Sequence, residues 1–271
     1  MRRTLALDTL FYGLVVGVSV GFAAGYLGSL MVIEKMALVG DALSHVALPG
    51  LALGYLLNFN PLIGGFLFLF VSAVLIWHLG RVTRLSFETL VGASFTLALA
   101  VGILIFPNLD ALEAALFGDI ARVGPVEAIA AIAISIAVVF LTRAIYKKIV
   151  LGLISEELAT SKKIPIAKLN LLYLLLVSLT VAVGIQITGT LLVGFLVITP
   201  AAAARILSAN LKRYFLLSGI FGMFSSVSGI LLSNYLSSSG FAIPPGPLVV
   251  LSGIAVFAGT IIIRWRTKFS Q

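Results

Sequence analysis

An acid, a hydroxyl and an imidazole fall close together at Asp41, Ser44 and His45, within the stretch Gly40-Asp41-Ala42-Leu43-Ser44-His45-Val46-Ala47-Leu48-Pro49-Gly50. On a helix, residues four apart share one face, so Asp41 and His45 stack one turn above the other. Pro49 stands four after His45. In a helix it supplies no N–H to the His45 carbonyl, and its ring displaces that carbonyl. The stretch therefore offers a carboxylate, a ring nitrogen and a freed backbone oxygen in one patch. Such a donor set suits a divalent cation of intermediate softness. Two plainer readings compete: a lone His on a helix face is usually structural, and an Asp near a helix start is often an N-cap. The surrounding solvent decides between them. Inside a bilayer, ionisable residues are costly and mark functional sites.

Composition identifies that solvent. The chain has 271 residues, 61% hydrophobic and 10% charged, with mean hydropathy +1.18. Soluble domains carry about 25% charged residues. No water-soluble core absorbs so much apolar sequence, so the chain reads as one all-α polytopic membrane domain over residues 1–271. Cysteine is absent, which excludes disulfides and thiolate metal sites. The net charge of +8 is a topology signal rather than a nucleic-acid signal. No small-residue cleavage pattern follows Arg2 and Arg3, so no removable signal peptide is read.

Nine apolar spans can be laid out at about 9–33, 40–57, 60–79, 89–106, 125–146, 169–186, 189–208, 213–236 and 246–263, each long enough for a bilayer. Of the 18 basic residues, 15 lie in the odd-numbered connections and the C-terminal tail. The positive-inside rule puts those connections and the C-terminus in the cytoplasm, and the N-terminus outside. Arg2 and Arg3 oppose that last placement, which leaves eight spans as the alternative. In the first span Gly13, Gly17, Gly21 and Gly25 recur every four positions, a packing face for another helix. The outer connection holding Asp110, Glu113, Asp119 and Glu127 includes a short helix at 112–117 and reads either as a cation-concentrating vestibule or as a solvated loop. On the inner side, the polar stretch 147–168 contains Ser155-Glu156-Glu157-Leu158-Ala159, a capped amphipathic helix suited to docking. Pro200 predicts a kink in the seventh span, and Pro244-Pro245-Gly246-Pro247 excludes regular helix across 237–247. There is no Gly-Lys dipeptide, hence no phosphate-binding loop of the Walker type. His78 reads as interfacial.

These residues resemble one family, the permease subunits of ABC importers for zinc, manganese or iron. Residues 40–50 are similar to its G-D-A-L-S-H-A-x-L-P-G signature, with Val46 in place of Ala. Leu116-Phe117-Gly118-Asp119-Ile120 is similar to L-F-G-[SD]-I, and Ser155-Glu156-Glu157-Leu158-Ala159 to D-E-E-F-A. The stretch 189–204 is similar to G-x-L-L-V…P-A-A-x-A. Two departures stand out. Lys162 and Lys163 occupy the place where the family often has Gly, and Ala242 replaces an acid before Pro244-Pro245-Gly246-Pro247.

The resemblance implies a type II ABC-importer-like permease of eight to nine transmembrane helices, multi-pass in the plasma or inner membrane. It implies a second copy of the chain, cytoplasmic ATP-binding-cassette ATPase subunits that hydrolyse the ATP, and an extracellular or periplasmic metal-binding protein. No permanent cofactor is implied; the divalent ion is cargo. Asp41 and His45 would ligate it along the dimer interface, with Ser44, Pro49, Asp110, Glu113 and Asp119 as further pathway residues. Ser155, Glu156, Glu157, Leu158, Ala159, Lys162 and Lys163 would meet the ATPase. His45 ligates only when neutral, so transport is expected to weaken at acid pH. The rival readings are a secondary-active cation transporter or channel that needs no ATPase, and an intramembrane enzyme built on Asp41, Ser44 and His45. The enzyme lacks an orienting group and an oxyanion donor set.

Overall fold

A computed structural model describes residues 2–83, 85–118, 123–241 and 243–269. Regular structure among them is helical throughout: α1 (Arg2–Ile33), α2 (Ala37–Val46), α3 (Leu48–Leu56), α4 (Pro61–Thr83), α5 (Phe87–Ile105), α6 (Leu109–Phe117), α7 (Pro125–Ile154), α8 (Glu156–Ser161), α9 (Ile166–Leu207), α10 (Leu211–Ser238) and α11 (Pro245–Phe269). Hydrocarbon enforces this, because a helix satisfies its own backbone where no water can. Among the described residues, seven segments are long and apolar enough to cross a bilayer, and Val193–Leu207 is a shorter apolar helix. The pair α2–α3 completes the set of apolar rods. These match the expected spans.

The rods are not equally enclosed. The α1 span is 72% buried and the α5 span 22%. Thus α1 is the central post, and α5 lies at the edge of the bundle with most of its surface uncovered by the rest of the chain. The glycine stripe explains how α1 is enclosed. Gly17, Gly21 and Gly25 face α10; a Cβ on Gly21 would lie 2.6 Å from the Gly222 carbonyl oxygen, and one on Gly25 would strike the Ser218 carbonyl. Ser218 Oγ, buried at the same crossing, donates to the Gly25 carbonyl at 2.5 Å. Gly13 is buried on the same stripe. Small residues thereby bring two backbones together without any apolar driving force between helices.

Several expectations are corrected. Pro200 sits inside α9 within helical backbone angles; the break is at Gly189, with φ 72° and ψ 175°. Only an achiral residue takes those angles freely. The Ser-Pro stretch is narrower than expected. Ser237 and Ser238 finish α10, and Pro245 and Pro247 lie in the first turn of α11, where a missing N–H costs nothing. Lys147 and Lys148 belong to α7, which runs on to Ile154. The outer short helix begins at Leu109, capped by Asn108 Oδ1 accepting from the Ala111 N–H. His78 is exposed near the end of α4, consistent with an interfacial place. Arg84, Asp119, Arg122 and Ala242 lie outside the described residues, as do the side chains of Arg2 and Arg3.

Helix α8 has the expected start. Ser155 Oγ accepts from the Leu158 N–H at 3.2 Å, Glu156 and Glu157 fill the first turn, and Ala159 is buried while its neighbours are exposed. Its end was not anticipated. Ile164 N–H bonds to the Ala159 carbonyl and Lys163 N–H to the Thr160 carbonyl, with Lys163 at φ 53°. This is a Schellman stop with lysine at the position that favours glycine. The left-handed angle costs the lysine about 1 kcal/mol relative to glycine.

Two predictions come from these ends. Lys163→Gly relieves the left-handed strain and slows amide hydrogen exchange across α8, whereas Lys163→Val speeds it; equal exchange in both variants would show that the turn is not held as described. The second concerns Glu34, in the turn after α1. Its Oε1 is buried with no partner, and burial pushes its carboxyl up to about 7. A raised folded-state pKa means that the folded chain holds the proton more tightly than the unfolded one. Stability from this group is full below the ordinary carboxylate range and is lost as pH rises through about 7. Glu34→Gln should therefore raise the melting temperature at pH 8 and leave it unchanged at pH 4. A gain of equal size at both pH values would refute the burial argument.

Candidate functional site

Asp41, Ser44 and His45 all ride on α2, so the expected shared face exists. Asp41 is not a cap: it lies a turn inside the helix, whose N-cap is Met36 with no side-chain bond. Helix α2 ends at Val46, and α3 starts at Leu48 with Pro49 in its first turn. The interruption expected from Pro49 is confined to Ala47, whose φ −69° and ψ −24° stay right-handed helical, so hydrogen bonds shift there while the backbone keeps its helical course. The freed carbonyl needs correction. At the cap the backbone N–H turns back to the Ser44 and His45 carbonyls, so the oxygen that Pro49 cannot serve retains a partner. Two side-chain donors remain, without the third from the backbone.

Three neighbours hold this span. Helix α4 meets α3 where Gly50 and Gly64 pack backbone to backbone, a contact that any Cβ would obstruct. Helix α5 meets the interruption itself: a Cβ on Gly102 would sit 2.8 Å from the Leu48 Cβ. Helix α9 supplies the closest approach to the chemistry. A Cβ on Gly194 would lie 2.6 Å from Asp41 Oδ1, so glycine at 194 is what lets the carboxylate lie against α9. Ser44 Oγ is 2.6 Å from the Thr190 carbonyl and 2.5 Å from the Asp41 carbonyl. Its one proton is shared between the two oxygens, and the first links α2 to α9 directly after the Gly189 break.

His45 is 8% exposed and its ring stands edge-on to Phe95 of α5, with centroids 5.1 Å apart. Its Nδ1 is buried and has no hydrogen-bond partner. A buried polar atom left unpaired costs about 1–3 kcal/mol, and native structures usually satisfy it. Asp41 is half-buried on the same face and close enough for its charge to act on the imidazole. Among the described residues, no group of three or more His, Asp or Glu could hold a metal ion. The chain alone therefore presents a two-ligand pair: one carboxylate and one imidazole.

The other expected pathway residues are placed differently. Asp110 and Glu113 are exposed on α6, whose buried side is Ala111 and Ala115. Glu127 is not a free vestibule acid; its Oε2 accepts the Gly124 N–H at 3.0 Å and caps α7. It also lines an outer cavity of about 390 Å³ with Tyr55, Asn60 and Leu51. Asp119 falls outside the described residues. Two contributors went unread in the sequence. Phe95 carried no signal in its own span. Gly194 carried only the weak signal of a small residue in an apolar span, where a close approach needs one.

Three of the four stretches that carry the resemblance converge here. At Gly189 an added Cβ would strike the Leu116 carbonyl and lie 2.5 Å from the Gly118 N, so the Leu-Phe-Gly stretch packs onto the break in α9. The Asp41–His45 stretch packs onto the same helix from Thr190 to Gly194. The fourth stretch forms α8, separate from them.

Comparison with known proteins agrees with this arrangement. The chain is 27% identical to the manganese transport system membrane protein MntC of Halalkalibacterium halodurans, over 98% of this chain and 94% of that one. It is 28% identical to the high-affinity zinc uptake system membrane protein ZnuB of Buchnera aphidicola, over 92% and 95%. The structure of PsaBC from Streptococcus pneumoniae in complex with Fab superposes with a TM-score of 0.80 at 26% identity, covering 96% of this chain and 95% of that one. Residues 6–264 match the ABC 3 transport family, and the chain belongs to that family.

Proposed function

We propose that this chain is the transmembrane permease subunit of an ATP-driven importer of divalent metal ions, with manganese, zinc or iron as cargo. ATP hydrolysis belongs to separate cytoplasmic subunits, in keeping with the absence of a Walker-type loop from this sequence. The basic connections and the C-terminus face the cytoplasm. An external metal-binding protein delivers the ion. Metal-transport names among the relatives support the cargo class.

The observation that carries the site assignment is the His45 ring nitrogen: buried, unpartnered and on one face with Asp41 in a membrane span. Two ligands hold a divalent ion weakly. A second copy of the chain, facing the first, doubles them to four. A conduction site needs that balance, because an ion must leave as readily as it enters. Movement of α8 by the ATPase would reach the site through α9, which runs from the docking segment to the Gly189 break. Rocking of the two copies then opens the pair of sites to one side and closes it to the other.

The reading makes a direct prediction. In cells lacking their own importer, Asp41→Ala and His45→Ala should each cut metal uptake by about tenfold or more, the scale on which metal-site substitutions act. Membrane levels of the chain, measured by immunoblot, should stay unchanged. Wild-type uptake in both variants removes the site assignment. Copurification decides the class: an ATPase retained by the full chain fits the importer, and uptake by the reconstituted chain alone means a secondary transporter or channel. Competition among manganese, zinc and iron for uptake identifies the cargo.

A further inference from the structure

Acidic residues are absent from the C-terminal part of this chain. Between Leu158 and Gln271 there is no Asp or Glu, but there are nine Lys or Arg. These cations have no carboxylate in their own segment to neutralise them. Two of them converge in the fold. Arg205, in the last turn of α9, and Arg264, near the end of α11, line a cavity of about 520 Å³ with Ile206, Ser208, Ile261 and Trp265. Arg264 Nη1 lies 3.5 Å from the Ile206 carbonyl, which ties the two helix ends together. Arg205 stands over the Tyr214 ring at 5.5 Å. Each guanidinium is thus oriented by a neutral partner that leaves its charge uncompensated, since the ring face and the carbonyl carry no net charge.

The apolar side of the cavity is equally specific. Ile261 is 46% exposed and Trp265 64%, and both lie where α11 leaves the hydrocarbon. Tryptophan prefers the headgroup level of a bilayer, and arginine at a helix end reaches the same level. The cavity therefore places two positive forks at phosphate depth, with a branched apolar surface beneath them at acyl-chain depth; the Ser208 hydroxyl donates to the Ala204 carbonyl at 2.6 Å and takes no part. Arginine recognises phosphate through paired N–H donors. An acidic peptide would satisfy the charges but would have no use for an isoleucine surface directed into lipid.

We infer that the cleft between the ends of α9 and α11 is a binding site for an anionic phospholipid, with Arg205 and Arg264 on the phosphate and Ile261 and Trp265 along the glycerol and upper chain. The site is separate from the Asp41–His45 pair and does not depend on the metal assignment.

The test uses the full-length chain reconstituted in phosphatidylcholine vesicles with or without one-quarter phosphatidylglycerol. All chains carry Trp77→Phe, which leaves Trp265 as the one tryptophan; brominated phosphatidylglycerol or brominated phosphatidylcholine quenches its fluorescence, and the ratio of the two quenching curves measures headgroup preference there. The wild type should prefer phosphatidylglycerol. Removing both charges in Arg205→Gln/Arg264→Gln should weaken that preference roughly thirtyfold, at about fivefold per basic residue near an anionic surface. Arg81→Gln, the same charge change at the end of α4, should leave it intact. If the double glutamine variant is poorly folded by circular dichroism, Arg205→Lys/Arg264→Lys takes its place and must retain a preference for phosphatidylglycerol; loss of the preference in that folded variant overturns the proposal. An unchanged preference in the folded glutamine variant overturns it as well. So does displacement of the lipid by millimolar inorganic phosphate, which would make this a free-anion site. Loss of a copurifying ATPase with lipid preference unchanged would assign the surface to a protein partner instead.

Discussion

The structure depends on a single side-chain link between two interrupted helices. Ser44 Oγ, wholly buried, meets the Thr190 carbonyl at 2.6 Å. On one side of that link is the α2–α3 interruption at Ala47, and on the other is the α9 interruption at Gly189. Irregular backbone at membrane depth is tolerated only where it is buried in protein or lines a cavity. The irregular backbone at Gly189 is covered by α2, and the Ser44 hydroxyl adds a hydrogen bond to the carbonyl of the next residue. The same crossing requires glycine at 189 for its backbone angles and at 194 for the approach of Asp41.

Much of this was legible in the order of residues, and the reasons are physical. Hydropathy located the rods because lipid leaves the chain no choice but helix. The four-residue glycine stripe located the α1–α10 crossing because close backbone contact excludes side chains. Asp41 and His45 stood out because an ionisable pair in an apolar run is costly. What stayed hidden depended on three-dimensional neighbours. Nothing local distinguishes Phe95 from the other phenylalanines of the chain, yet it alone shields the His45 ring edge-on. The bend was assigned to Pro200 on intrinsic grounds, but Gly189 carries it because Leu116 and Gly118 press against that point and no side chain fits. Glu127 looked like a free acid until its partner, the Gly124 amide, appeared three residues upstream.

Charge is divided along the chain in a way that matches its mechanics. Acids end at Glu157, in the first turn of α8. Beyond it Arg205 and Arg264 meet only a ring and a carbonyl, and in our inference lipid phosphate neutralises their charge. This leaves Glu156 and Glu157 as the exposed negative pair on α8, beside the exposed positive pair Lys162 and Lys163. A partner meeting α8 encounters both signs within two turns, which fixes its orientation more than its affinity. Exposed pairs of this kind contribute little energy but reject a misplaced partner.

The length of α9 joins these parts. Its first limb, Ile166–Ile185, is 20 residues long, about 30 Å at the rise of an α-helix. One end follows the Schellman turn at Lys163, and the other reaches the Gly189 break beside Ser44. Trp77 Nε1 donates to the Ala167 carbonyl at 2.7 Å, so the near end is also pinned to α4, the helix that backs α3 through Gly64 and Gly50. In the proposed mechanism a displacement of α8 would be passed along α9 to Thr190 and, through α4, to α3. The two routes meet on α2 and α3, the elements that hold Asp41 and His45. The one point along α9 where the backbone leaves helical angles is Gly189, and Ser44, next to His45 in the chain, bonds to the residue after it.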